Sequence, residues 1–83
     1  QDVLYLMDQV KDKKNKEEHW VQSLALQEAM QRLDERELNI IRLRFFEGKT
    51  QTEVADEIAI SQAQVSRLEK NALKSMRHYL SNE

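Results

Sequence analysis

The residues best suited to contact another molecule lie in one row near the C-terminal end of the chain. On a helix drawn at 100° per residue, one side carries Ala63, Ser66, Arg67, Lys70, Lys74 and Arg77. The guanidinium fork of Arg67 can pair with O6 and N7 of guanine, whereas Lys70 and Lys74 are point charges that suit phosphate. The row therefore suits contacts with nucleic-acid bases at its start and with phosphate behind.

Two capping signals place this row on the second helix of a pair. Thr50-Gln51-Thr52-Glu53 and Ser61-Gln62-Ala63-Gln64 both fit the capping box, in which a hydroxyl accepts from an unpaired helix N–H and the fourth residue reaches back. Helix starts eleven residues apart leave room for one short helix and a turn. This spacing predicts a helix-turn-helix. Ala59 fits the turn poorly, because the turn commonly needs a positive φ that glycine adopts more easily.

The opposite side of the second helix is apolar. Val65, Leu68, Ala72, Met76 and Tyr79 fall within about 80° of arc, the width of a buried stripe. The alternative is that the polar row is the solvated face of an ordinary amphipathic helix. The preceding short helix, the two caps and the turn favour the binding interpretation.

A central helix is predicted before this pair. Asp34 is a candidate N-cap with Glu37 three residues on, and Gly48 is a candidate C-terminal glycine. The helix has two apolar faces, Leu38, Ile41 and Phe45 on one and Ile40, Leu43 and Phe46 on the other. We expect it at the centre of a bundle; the alternative is that the face around Leu43 and Phe46 docks on a partner.

The N-terminal part supplies a further helix and a covering segment. Glu17 to Arg32 reads as a helix with a second apolar stripe near its start, which includes Trp20. Residues 1–16 combine an apolar patch with a lysine-rich run, and we expect this segment to be ordered only by packing on the rest. Trp20 is predicted to pack against the patch Leu4 to Met7.

Together these signals predict an all-α fold, a small helical bundle of about four helices with the helix-turn-helix at its C-terminal end. The expected helices are residues 17–32, 35–46, 51–58 and 62–80. The predicted core is Leu26, Met30, Leu33, Leu38, Ile41, Phe45, Val54, Ile58, Val65, Leu68 and Met76.

Composition limits the possible functions. The chain has 83 residues, one glycine, no proline and no cysteine, which suits one small domain without disulfides. It lacks a nucleophile–base set, paired catalytic carboxylates and a phosphate-binding glycine loop, so we expect no enzyme, no cofactor and no metal. We find no membrane-spanning run or signal peptide and expect a cytoplasmic protein.

Charge is unevenly distributed along the chain. The net charge is −2, with −2 over residues 1–34, −2 over residues 35–60 and +2 over residues 61–83. The positive end coincides with the candidate base-reading helix, which suits DNA. The excess is small, so we expect weak binding by the isolated chain and delivery by a partner.

From Leu26 to Leu80 the sequence resembles region 4, the C-terminal promoter-reading domain of bacterial sigma factors. The most specific segments are Leu33–Glu37, Ile41–Phe46, Lys49–Ala55 and Ile60–Glu69. The run Ser61–Lys70 is similar to the sporulation sigma factors of endospore-forming Firmicutes, and Tyr5–Val10 resembles the linker before region 4 in the sigma-G type. The resemblance divides the chain into a linker segment, residues 1–16, and the region 4 domain, residues 17–83.

The resemblance implies a subunit that binds core RNA polymerase and directs it to promoters, with this domain reading the −35 element of double-stranded DNA. It places Gln62, Ala63, Ser66 and Arg67 at base-reading positions. It places Arg36, Arg44, Thr50, Gln51 and Thr52 at phosphate-contacting positions, which Lys70 and Lys74 extend. An apolar groove would receive the flap tip of the polymerase β subunit, and an anti-sigma factor could compete for it. Outside the holoenzyme we expect a monomer.

Two other functions also fit the sequence. One is the output domain of a helix-turn-helix transcriptional regulator, which usually carries its own dimer interface. The other is a protein-docking module for polymerase or an anti-sigma factor, which the net charge of −2 favours. Gln62 and Ala63 carry less charge than the corresponding residues of housekeeping members, so the preferred −35 sequence is open as well.

Overall fold

The structure, a computed structural model, describes residues 3–12 and 16–81, with side chains described for residues 3–8 and 24–81. Its five α-helices are α1 (Val3–Asp12), α2 (Lys16–Gln31), α3 (Glu35–Ile41), α4 (Gln51–Ile58) and α5 (Gln62–Ser81). A π-helical turn, Arg42–Phe46, continues α3. Within the described ranges there is no strand, and the all-α prediction is confirmed with one helix, α1, added to the predicted four.

The three predicted caps form. Asp34 Oδ1 accepts from the backbone N–H of Glu37 at 2.8 Å. Thr50 Oγ1 accepts from Glu53 N at 3.1 Å while Glu53 Oε1 accepts from Thr50 N at 2.8 Å. Ser61 and Gln64 make the same reciprocal pair, at 3.1 and 3.4 Å. These contacts satisfy N–H groups that lack partners inside the first helical turn.

Two residues with positive φ end helices. Gly48 has φ 76° just after the π-helical turn. Ala59 follows α4 with φ 60° and ψ 46°, so the turn between α4 and α5 does adopt the left-handed backbone that its sequence position predicts.

The continuous helix predicted for residues 35–46 is wrong in its last turn. From Arg42 the backbone widens, and Glu47 N donates to the carbonyl of Arg42, five residues back, at 3.0 Å. A π-helical turn holds one more residue than an α-helical turn. Both Phe45 and Phe46 therefore pack toward the same hydrophobic cluster, whereas Leu43 faces the other.

The core consists of two hydrophobic clusters on either side of α3. Ile41 packs into the larger cluster, which α1, α2 and α5 complete. Ile40, its neighbour, packs into the smaller cluster with Val54, Ala55 and Val65 of the helix-turn-helix. The central position predicted for this helix is confirmed, and the face at Leu43 is closed by the chain itself, with 3% of that residue exposed.

The N-terminal helix is a full part of the larger cluster. Val3 and Met7 are 0% and 2% exposed, and α1 contacts α2, α5 and the π-helical turn. Within the segment expected to be ordered by packing, residues 3–12 thus form a helix that covers the bundle. The side chain of Trp20 lies outside the described side chains, as does that of His19.

Most of the predicted core is confirmed, with differences at its edges. Leu26, Leu33, Ile41, Val54, Val65 and Met76 are buried, whereas five predicted core residues are only half-buried: Met30, Leu38, Phe45, Ile58 and Leu68. Buried residues outside the prediction include Ala29, Ile40, Leu43 and Leu73. The buried side of α5 is therefore wider than the predicted stripe, because this helix packs on both clusters.

Candidate nucleic-acid interface

The helix-turn-helix holds the start of α5 at the surface. Val65 is fully buried against Val54 and Ala55 of α4, so the residues around it on α5 have a fixed orientation. The predicted base-reading residues are all exposed: Gln62, Ala63, Ser66 and Arg67. The structure thus brings these four side chains together in the first two turns of α5.

Arg67 is the most adaptable donor of the four. Its side chain is exposed and contacts no other described side chain through a hydrogen bond or ion pair. Five N–H groups in a planar fork are consequently available to an acceptor pair on another molecule.

Lys70 and Lys74 extend the row along α5. Both are exposed, one and two turns beyond Arg67 respectively. A helix that crosses a DNA groove leaves the bases after its first turns, so this placement suits the phosphate contacts predicted for Lys70 and Lys74.

Thr50, Gln51 and Thr52 lie at the N-terminus of α4. Thr50 and Thr52 are exposed. The first N–H groups of a helix have no intrahelical acceptor and carry a partial positive charge, which favours an anion. Part of this donor set is already used, since Thr50 Oγ1 binds Glu53 N.

Arg36 lies apart from the α4–α5 pair. It lines a cleft of about 540 Å³ between α3 and the end of α4, together with Glu35, Leu38, Asn39, Arg42 and Ile58. Two guanidinium groups at this cleft give a second cationic area, and Glu35 offsets part of it. Arg44 is not among the residues that line this cleft.

Arg44 is held inside a network between the elements. Its Nε donates to Glu69 Oε1 at 2.7 Å, and its Nη1 donates to the carbonyl of Lys49 at 2.9 Å. The side chains are 25% and 13% exposed for Arg44 and Glu69. Arg44 therefore has part of its guanidinium group and of its charge already paired within the domain, and its Nη2 group makes no hydrogen bond to another described residue.

Gln51 connects this network to the start of α5. Its Nε2 donates to Glu69 Oε1 at 3.1 Å, and its Oε1 accepts from Gln62 Nε2 at 3.2 Å. Gln51, which is predicted to contact phosphate, and Gln62, which is predicted to read a base, are thus joined by their side-chain amides.

Sequence reasoning missed Glu69, the residue that links Arg44 and Gln51. One signal was present: Glu69 falls 40° from Val65 on the helical wheel, inside the apolar side of α5. A carboxylate in such a position needs a cationic partner, because burying an unpaired charge is costly. The sequence does not say which cation supplies the partner.

Lys49 was also missed. Its Nζ lies 2.7 Å from Glu57 Oε1, and this hydrogen bond with its charge attraction raises the pKa of Lys49 above the usual value. The ammonium is protonated at neutral pH, and its ion pair with Glu57 ties the residue before Thr50 to the last turn of α4.

Within residues 3–12 and 16–81, no group of His, Asp and Glu side chains is arranged to hold a metal ion. No helix among these residues is long and apolar enough to cross a membrane.

Comparison with known proteins agrees with this geometry. Residues 29–78 match the family model described as Sigma-70, region 4. The chain is 57% identical over 79 residues to RNA polymerase sigma-G factor of Clostridium acetobutylicum, covering 95% of this chain and 31% of that protein. It is 60% identical over 75 residues to RNA polymerase sigma-G factor of Bacillus subtilis, covering 90% and 29%.

A sigma-F relative is similar over the same region. The RNA polymerase sigma-F factor of Bacillus licheniformis is 49% identical over 79 residues, covering 95% of this chain and 30% of that protein. The chain thus spans about three tenths of the length of these relatives, and no solved structure matches it significantly. The match to the family model covers more than half of the chain, and so the chain belongs to the Sigma-70 region 4 family, the −35-recognising domain of sigma factors, with sporulation sigma factors among its relatives.

Proposed function

We propose that this chain reads the −35 element of promoters as the region 4 domain of a sporulation sigma factor, and that the whole protein directs RNA polymerase to those promoters. The observation that carries the proposal is the exposed row at the start of α5, held by the buried Val65 in a family whose region 4 recognises the −35 element. The protein acts in the cytoplasm, where polymerase and promoter DNA meet.

The base contacts come from the first two turns of α5. Arg67 pairs with a guanine through its fork, Gln62 pairs with an adenine, and Ser66 gives one hydrogen bond to a neighbouring base. Ala63 offers a methyl group to a thymine methyl. All four are exposed, which supports this assignment.

The phosphate contacts come from two places around the row. Lys70 and Lys74 hold one strand behind the base contacts, and the N-terminus of α4, with Thr50 and Thr52, holds another. Arg44 adds a contact with a DNA phosphate through Nη2. Arg36 contacts the DNA backbone only beside the cleft next to α3.

The polymerase contact lies at the other end of the domain. Tyr79 Oη donates to Glu28 Oε1 at 3.0 Å, so the last turns of α5 lie against α2. At 1.5 Å per residue, Tyr79 is about 26 Å along α5 from Gln62. Large apolar side chains are exposed on α1 and α2, namely Leu4, Tyr5 and Leu24. The flap of the polymerase β subunit, or an anti-sigma factor, fits this end and leaves the DNA-reading end open.

Binding of labelled duplexes tests the proposal. A duplex carrying a sporulation-type −35 element and a scrambled duplex are titrated with the chain at 50 and 200 mM salt, and fluorescence anisotropy gives Kd. We expect measurable, about micromolar affinity at 50 mM salt and weaker affinity at 200 mM, because a few phosphate contacts at about −0.9 each give a salt slope of about −3 to −5.

Three results would contradict the proposal. Absence of binding to either duplex at 50 mM salt would leave a protein-docking module as the function. Equal binding of both duplexes would show a domain that holds DNA without reading it. A dimer in light scattering at the concentrations used would favour the regulator output domain.

A further inference from the structure

We infer that Glu69 sets which hydrogen-bonding groups Gln62 presents to a base, acting through Gln51, and that this makes adenine the base preferred by Gln62. The inference rests on the proposed function and adds a positioning residue that does not itself touch DNA.

Two hydrogen bonds connect Glu69 to Gln62 through Gln51, across the helix-turn-helix. Glu69 Oε1 accepts from Gln51 Nε2 at 3.1 Å, and Gln51 Oε1 accepts from Gln62 Nε2 at 3.2 Å. Gln51 is the first residue of α4 and Gln62 the first of α5, so these hydrogen bonds connect the starts of the two helices.

The direction of these hydrogen bonds follows from the chemistry of a carboxylate. Glu69 is paired with Arg44 at 2.7 Å, so it is a carboxylate and can only accept. Gln51 must therefore turn its NH₂ group toward Glu69. Its carbonyl oxygen then faces the other way, and only a donor on Gln62 can meet it.

The orientation of the Gln62 amide follows in turn. One N–H of Gln62 binds Gln51, which leaves its carbonyl oxygen and its second N–H for a ligand. One acceptor beside one donor is the pattern that glutamine uses on N6 and N7 of adenine. Guanine offers two acceptors at the same edge and would leave the Gln62 oxygen without a donor.

Arg44 and the surrounding elements keep Glu69 in place. The Arg44 guanidinium is anchored at the same time to the carbonyl of Lys49, at 2.9 Å, in the loop before α4. The Glu69 side chain is 13% exposed, so solvent competes weakly for its oxygens. The amide orientations are thus set before DNA arrives, which removes part of the cost of ordering on binding.

The test uses the chain and a set of duplexes in which one base pair of the −35 element is varied at a time. Gln62→Ala identifies the base pair that Gln62 reads, as the position where the adenine preference disappears. At that position we expect Glu69→Gln to lower the adenine-over-guanine preference about three- to tenfold, because an amide at 69 can donate or accept and no longer fixes Gln51. The guanine preference at the Arg67 position should stay unchanged.

Two further variants separate positioning from a structural role. Gln51→Ala removes both hydrogen bonds that link Glu69 to Gln62 but leaves the Arg44–Glu69 pair intact. This variant should lose the same adenine-over-guanine preference as Glu69→Gln. In a Gln62→Ala background, Glu69→Gln should cause no further change in base preference. If Glu69→Gln unfolds the chain, the Gln51→Ala variant alone decides the question.

A uniform loss of affinity across all duplexes, with the adenine preference intact in Glu69→Gln and Gln51→Ala, would overturn the inference while leaving the proposed function standing. A wild-type chain that shows no base preference anywhere in the duplex set would instead refute the proposed function and the inference with it.

Discussion

Ala59 is the one described residue other than glycine with a positive φ, and it lies in the turn that sets the angle between α4 and α5. An L-residue with a Cβ costs about 1 to 2 kcal/mol in the left-handed region. Glycine removes this cost in the folded state, but it also raises the conformational entropy of the unfolded chain, which cancels part of the gain in stability. We therefore expect Ala59→Gly to raise the free energy of unfolding by about 0.5 to 1 kcal/mol, measured by urea denaturation.

The matched control is Ala25→Gly in the middle of α2, where the same substitution should lower the free energy of unfolding by about 1 kcal/mol. If Ala59→Gly destabilises the chain as much as Ala25→Gly does, residue 59 does not adopt a left-handed conformation in solution.

For individual residues, the sequence predicts contacts between positions close together in the chain well and contacts between positions far apart in the chain poorly. The caps at Asp34, Thr50 and Ser61 could be predicted because each joins residues three positions apart. The Arg44–Glu69 pair could not, because 25 residues separate its members and only the fold brings them together. For the same reason Arg44 and Gln51 looked available for phosphate, whereas both already hold partners within the domain.

Among the helices, α5 has two sides with different roles, one buried in the core and the other exposed. Met76 is fully buried in the larger cluster, whereas Leu68 is half-buried beside the smaller one. We expect Met76→Ala to cost about 2 to 5 kcal/mol and Leu68→Ala about half as much, since part of the leucine is already in contact with water. Urea denaturation measures both against a total of about 4 to 12 kcal/mol for a chain of this length.

Lys74→Ala serves as the exposed control on the same helix and should change the free energy of unfolding by no more than about 0.5 kcal/mol. A larger cost for Leu68→Ala than for Met76→Ala would show that the smaller cluster, and not the larger one, dominates the stability of the domain.

Two elements differ from what periodicity predicts, and both have a physical reason. The helix α1 buries Val3, Leu6 and Met7, a helical spacing, but the adjacent apolar Leu4 and Tyr5 obscure that period in the sequence. The π-helical turn adds one residue where Phe45 and Phe46 both pack toward the larger cluster. A pattern analysis with a fixed period of 3.6 residues does not allow for such an insertion.

For the whole molecule, its charge and size lead us to expect that delivery by polymerase is the main source of promoter affinity. The net charge of −2 leaves a small counterion-release contribution, and part of the charge of Arg44 and Lys49 is compensated by Glu69 and Glu57. Tethering to polymerase raises the local concentration of the domain at the −35 element without any new contact. Weak binding by the chain and strong promoter selection by the holoenzyme are therefore compatible.

We propose that the start of α5 reads bases while its later turns hold phosphate, and this division of α5 can be measured. It is tested most directly by transcription from a library of −35 elements, using polymerase reconstituted with the full-length protein that carries either Arg67→Ala or Lys74→Ala. We expect Arg67→Ala to lose about 1 to 3 kcal/mol on the preferred element and little on elements already mismatched at one base pair, and Lys74→Ala to weaken all elements nearly equally. If Arg67→Ala lowers every promoter in the same proportion, Arg67 is a phosphate contact and the assignment of the base-reading row is wrong.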